Sequence, residues 1–173
     1  MQGLSRTLHQ RADRRGASGP LSHSLRPAFS LVELVLILAI IATLAMIAAP
    51  RYANAMAHYR AELAARRIVA DLAHARAQAK ASSQSWTVSF NPPANSYIIF
   101  DDTVLGNATT VTTVVLSEPP YHASITAAVF GADSDVVFDG YGASDGGGTV
   151  NVHSGGFQRQ VVLDGDTGKG AVK

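Results

Sequence analysis

Leu31 to Ala49 is an unbroken apolar run, LVELVLILAIIATLAMIAA, in which Glu33 and Thr43 are the polar residues. Nineteen residues at about 1.5 Å each give roughly 28 Å, close to the roughly 30 Å hydrocarbon core of a bilayer. A chain with such a run must cover it with lipid or with an assembly. Residues 1–28, which precede it, carry Arg6, Arg11, Arg14, Arg15 and Arg26 against Asp13. They are rich in Ser, Gly, Pro and His and lack apolar periodicity, so they read as a basic leader outside the fold. The positive-inside rule keeps this flank in the cytoplasm and sends the C-terminal part outward.

The formal net charge of +1 conceals a block structure. Arg51 to Ala81 holds six bases against Glu62 and Asp71, whereas from Ser82 onward three bases face nine acids. The part expected outside the cytoplasm is therefore acidic. Cysteine is absent, which excludes a disulfide framework and a thiolate metal site. Core burial and strand pairing must hold the domain.

From Arg51 to Ala81 the sequence is rich in alanine and arginine and has no internal proline or glycine, so helix propensity favours one helix of about fifty residues continuing from the apolar run. Tyr52, Met56, Tyr59 and Leu63 recur at helical spacing, and Ala65, Ile68, Leu72, Ala75 and Ala79 extend an apolar face. Pro50 is expected to bend or locally melt the helix at the junction. After Ser82 the period changes to two, with Trp86, Val88 and Phe90 alternating with polar residues. The turn Asn91-Pro92-Pro93-Ala94-Asn95-Ser96 then leads into Tyr97 to Phe100 as a hairpin. Further strands are expected at 110–116, 123–130, 135–138, 149–153, 157–163 and 169–172. The whole is an α+β chain: a leader at 1–28, a transmembrane and assembly helix at 29–50, an amphipathic helix at 51–81, and an antiparallel β-sheet head at 82–173.

The junction Arg26-Pro27-Ala28-Phe29-Ser30-Leu31-Val32-Glu33-Leu34 carries the chemistry. A carboxylate at the edge of an apolar span costs up to about 2.5–3.5 kcal/mol on insertion scales, so it calls for a partner. Cleavage between Ala28 and Phe29 would create one, the α-amino group of Phe29. This junction resembles the processing site of type IV prepilins and type II secretion pseudopilins: a basic leader, Phe at the first mature position, Glu at the fifth and Pro at the twenty-second, here Phe29, Glu33 and Pro50. Ala28 stands where the family usually has glycine. The passage from ELAARRIVADLAHARAQAKA, Glu62 to Ala81, into the strand Trp86 to Phe90 is similar to the GspH/FimT group of minor pseudopilins.

The resemblance implies a pilin fold and removal of the leader by an inner-membrane prepilin peptidase, followed by N-methylation of Phe29. It also implies a single-pass inner-membrane subunit with a periplasmic head. Its partners would be other pilins or pseudopilins and the inner-membrane assembly platform. The expected function is that of a minor pseudopilin at the initiation or tip of a type II secretion pseudopilus, in protein export.

Other readings are a minor pilin acting in DNA uptake or pilus assembly, a plain membrane anchor, and a secreted domain cut at Ala53-Asn54-Ala55 or Ala55-Met56-Ala57. DNA uptake would rest on Lys169 and Lys173, but the acidic head opposes phosphate and nucleic acid is not expected as a partner. His9, His23, His58, His74, His122 and His153 show no zinc spacing. Asp133, Asp135, Asp139 and Asp145 lie in glycine-rich loops without the spacing of a calcium-binding EF-hand, and read as turn aspartates. Asp145 to Thr149 is not a phosphate loop. No nucleophile elbow is expected, and His153-Ser154-Gly155-Gly156 reads as a hairpin turn. Neither enzyme activity nor a cofactor is expected.

Overall fold

The computed structural model describes residues 29–101 and 112–173. The chain divides into a unit at Met1–Ile40 and a unit at Ile41–Lys173. Within the described residues of the first, Ser30 starts a helix, α1, that spans Leu31–Ser82. Leu34 N donates to Ser30 O at 3.1 Å and Glu33 N donates to Ser30 Oγ at 3.4 Å. Ser30 is thus the N-cap and Glu33 the third helical residue, the Ser-x-x-Glu spacing of a capping box. Leu31, Val32, Leu34 and Val35 are all exposed.

The single long helix expected from the sequence is present over 52 residues. The local melting expected at Pro50 does not occur: the proline lies inside the helix. It deprives the Met46 carbonyl of one donor, and the alanines on both sides, Ala48, Ala49 and Ala53, favour helix enough to carry it through. At the other end Ser83 adopts φ 55° and Gln84 N donates to Ala79 O at 3.2 Å. This left-handed residue with its backward bond is a Schellman stop.

The buried face of α1 comprises Ala61, Ala64, Ala65, Ile68, Leu72, Ala75 and Ala79, with Asp71 among them. Tyr52 and Tyr59, which share the helical spacing, stay exposed. The small side chains let strands approach the helix closely. Among the described residues, the head that follows has eight strands: β1 Trp86–Asn91, β2 Ser96–Asp101, β3 Thr112–Val115, β4 Ser124–Phe130, β5 Asp135–Phe138, β6 Gly148–Ser154, β7 Phe157–Asp164 and β8 Lys169–Val172. Each lies on a segment read as a strand from alternation and turn residues. Residues 110 and 111 of the third expected strand fall outside the described residues, as does the leader with Ala28.

The expected antiparallel sheet is present as two four-stranded sheets, ordered β3-β2-β1-β5 and β4-β6-β7-β8. Strand β1 pairs β2 with Val88 opposite Ile99 and Phe90 opposite Tyr97. The buried residues of both sheets and of α1 form one apolar cluster, in which Ile68, Leu72, Val88, Val136, Phe138, Val150 and Val152 are at most 1% exposed. Asn95 ties the sheets together. It takes a left-handed conformation at φ 50°, its carbonyl accepts Leu116 N at 2.8 Å and its Oδ1 accepts Ile125 N at 3.0 Å. Asparagine tolerates this backbone and brings its own acceptor.

Candidate functional site

Two regions have chemistry to offer, the start of α1 and the surface where α1 meets the head. At the start, Phe29 is 74% exposed. Glu33 sits in the first helical turn, where the partial positive charge of the helix N-terminus favours a carboxylate. The Ser30 cap was not read from the sequence, although Ser30-Leu31-Val32-Glu33 carries its signature. The apolar window that follows is long enough to cross a membrane and none of it is buried.

Beyond the apolar run, side chains fasten α1 to the head. Arg159 Nε on β7 donates to Glu62 Oε2 at 2.8 Å, and Arg66 Nε donates to Glu62 Oε1 at 2.7 Å. These hydrogen bonds, that from Arg66 foremost, hold the Glu62 carboxyl below its ordinary range. His58 bonds Arg159 through Nε2 and meets Phe157 edge-on with ring centroids 5.4 Å apart. Further along, Tyr97 Oη donates to Asp71 Oδ2 at 2.6 Å, and Arg67 Nε donates to the same oxygen at 2.8 Å. Burial, with help from Asp71, pushes the Tyr97 phenol well above its usual range. Near the helix end, Arg76 Nε donates to Gly142 O at 2.8 Å. Arg66 with Glu62 and Arg67 with Asp71 are four residues apart on α1, but sequence spacing could not pair Glu62 with Arg159, Asp71 with Tyr97 or Arg76 with Gly142, which are far apart in sequence.

The loop aspartates act as turn acceptors. Asp139 Oδ1 takes Tyr141 N at 3.0 Å and Ala143 N at 2.8 Å. Asp133 Oδ1 takes Asp135 N at 3.1 Å, and Asp145 Oδ1 takes Val137 N at 3.2 Å. Asp164 Oδ1 accepts Thr167 N and Asp166 N, both at 2.9 Å, and these bonds, that from Thr167 foremost, lower its pKa. Among the described residues there is no group of three or more His, Asp or Glu that could hold a metal. One correction concerns serine. Gly142-Ala143-Ser144-Asp145-Gly146 has the G-x-S-x-G spacing that was not expected, but Ser144 Oγ donates to Gly165 O at 3.1 Å. The next element is strand β6, so the strand-to-helix turn of a nucleophile elbow is missing. Lys169 and Lys173 lie on and just beyond β8, both exposed.

A model of the family described as type II transport protein GspH matches residues 64–167, more than half of the chain. This chain belongs to the GspH family. The match covers the buried half of α1 and nearly all of the head, so the membership read from the helix-to-strand passage stands on the residues that build the core. No curated protein matches the GspH-family chain in sequence. Two solved structures share its fold. Both are of the minor pseudopilin EpsH from the type II secretion system of Vibrio cholerae. One is 14% identical with a TM-score of 0.52, covering 66% of this chain and 96% of that one. The other is 12% identical with a TM-score of 0.51, covering 66% and 94%.

Proposed function

We propose that this GspH-family chain is a minor pseudopilin that initiates or caps a short periplasmic pseudopilus in type II secretion, a structural rather than catalytic subunit. What supports the reading is that one helix carries both features the task needs. Its first part is an exposed, membrane-length apolar segment, and its last part roots a head of the GspH family. Prepilin peptidase removes residues 1–28 between Ala28 and Phe29, and the new amine is methylated. Glu33 pairs with that amine on its own or a neighbouring subunit, which neutralises two charges that lipid penalises. Residues 34–49 hold the subunit in the inner membrane and then pack in the filament, with Pro50 at the exit. The periplasmic head contacts other minor subunits or exported protein.

Mass spectrometry of the mature N-terminus tests this. N-methylated Phe29 is expected. A chain starting at Met56 or His58 would indicate a signal peptide instead, and an intact leader a plain anchor.

A further inference from the structure

The role proposed for the N-terminal helix makes no use of a groove on the head. It runs between α1 and β8 and has a volume of about 310 Å³. Val69, Ala73 and Ala77 of the helix give it an apolar wall, while Arg76, Lys80 and Lys169 supply cations around it. Gly168 and Gly170 contribute backbone without side chains. A methyl added to Gly170 would meet Leu72 and Val69 at 3.6 Å, so β8 lies close on the helix.

Strand β8 is the outer strand of its sheet. Just beyond it, Gln160 and Lys173 exchange both backbone hydrogen bonds, at 3.3 and 2.8 Å. Bonded and non-bonded pairs alternate along an antiparallel ladder. The register therefore makes Val162 with Ala171 and Asp164 with Lys169 the bonded pairs, and Leu163 with Gly170 and Val161 with Val172 the non-bonded ones. Gly170 and Val172 thus turn their N–H and C=O groups away from β7, as a sheet edge that no other strand among the described residues pairs.

The cations decide what such an edge accepts. Among the described residues Arg76, Lys80 and Lys169 have no carboxylate partner, although the chain from Ser82 onward is acidic in sum. Arg76 is fixed through Nε by Gly142 O, which leaves its terminal nitrogens to bind an anion. Lysines at an edge deter apolar strands from pairing, and the same charges attract acidic ones. We propose that this groove binds an acidic segment of a partner protein in extended conformation, added to the free edge of β8 as a further strand. Backbone bonds from Gly170 and Val172 supply the affinity and the three cations the selectivity, the usual division in strand addition. Nucleic acid fits less well, because a duplex is too broad for a groove of this volume. The proposal does not depend on cleavage at Phe29.

The full-length chain in detergent micelles is titrated with a short fluorescent peptide in which glutamate alternates with valine. Three other probes are run beside it: the same peptide with lysine for glutamate, the same peptide with proline at every second position, and a labelled DNA duplex. The glutamate peptide is expected to bind saturably and to slow hydrogen exchange at the Gly170 and Val172 amides. The proline version, unable to form the ladder, is expected not to bind. The double variant Lys80→Glu, Lys169→Glu replaces two exposed side chains, so it is expected to keep the wild-type melting temperature while binding weakens by about tenfold or more. Equal binding of the lysine peptide, protection confined to amides away from β8, preference for the duplex, or binding unaffected by the proline substitutions would each overturn the proposal.

Discussion

Arg159 on β7 donates its Nε hydrogen to Glu62 Oε2 on α1 at 2.8 Å, across 97 residues of sequence. Because Glu62 gives its other oxygen to Arg66, one carboxylate joins two turns of the helix to the sheet that ends in β8. Exposed ion pairs contribute little, but a half-buried carboxylate held by two guanidinium groups keeps more of its Coulomb energy. A double-mutant cycle on Glu62→Gln and Arg159→Ala, read by urea unfolding, is expected to show a coupling of about 0.5–1 kcal/mol.

The same carboxylate gives a pH dependence with a defined sign. Its folded pKa lies below the ordinary value of 4.5, so the stability it adds is fully present above that value. It is lost as pH falls through the lower folded value. The stability difference between wild type and Glu62→Gln is therefore expected to be constant near neutrality and to shrink in acid. A difference that grows on acidification would contradict the pairing.

Tyr97 and Arg67 both bond one oxygen of Asp71, a carboxylate only 9% exposed. Tyr97→Phe removes one of the two donors and is expected to cost about 1–3 kcal/mol. Since the folded phenol titrates above its unfolded value, its contribution persists through neutrality and is lost only in strong alkali. In a spectrophotometric titration Tyr97 should remain un-ionised above the ordinary phenol range.

Gly140 packs against the helix stop. A Cβ there would lie 2.7 Å from the carbonyl carbon of Ser83, which is backbone in the left-handed cap and cannot rotate aside. Gly140→Ala is expected to destabilise the protein by about 1–3 kcal/mol in thermal unfolding. Gly146→Ala, with no heavy atom within 4 Å of the added carbon, is the control and should change little.

Asp139 satisfies two backbone amides of its turn, so Asp139→Ala is expected to cost about 1–2 kcal/mol. Calcium and a chelator should leave the melting temperature of the wild type unchanged. A rise with calcium would show that the loop oxygens serve a cation.

Glu33→Ala separates membrane insertion from assembly. Removing a charge that lipid penalises leaves insertion intact or improved, while co-assembly with partner pseudopilins is expected to fall several-fold in cross-linking. Normal incorporation of the variant would end the pairing role proposed for Glu33.

The strands were legible because β1 alternates apolar and polar residues, and because asparagine, proline and glycine punctuate the later segments. The apolar face of α1 was legible from Ala65 onward, whereas the tyrosines before it misled. Tyr52 and Tyr59 keep the helical period, yet they are exposed, since a period says which residues share a face and not whether anything covers it. Of the bend or local melting expected at Pro50, the melting does not occur, because the alanine-rich helix absorbs the local cost.

By itself the sequence determined the membrane-length run with Glu33 near its start, the helix that continues to Ser82, the strand segments and the acidic character of the head. All of these follow from local pattern, and neighbours in sequence carry it. Only the tertiary structure decided that the strands form two sheets, that Asn95 joins them, that Glu62 meets Arg159 and Asp71 meets Tyr97, and that, among the described residues, β8 keeps an open edge beside three cations without a carboxylate partner. Those depend on which distant backbones pair, and strand pairing is chosen by the burial of the whole core rather than by any one segment.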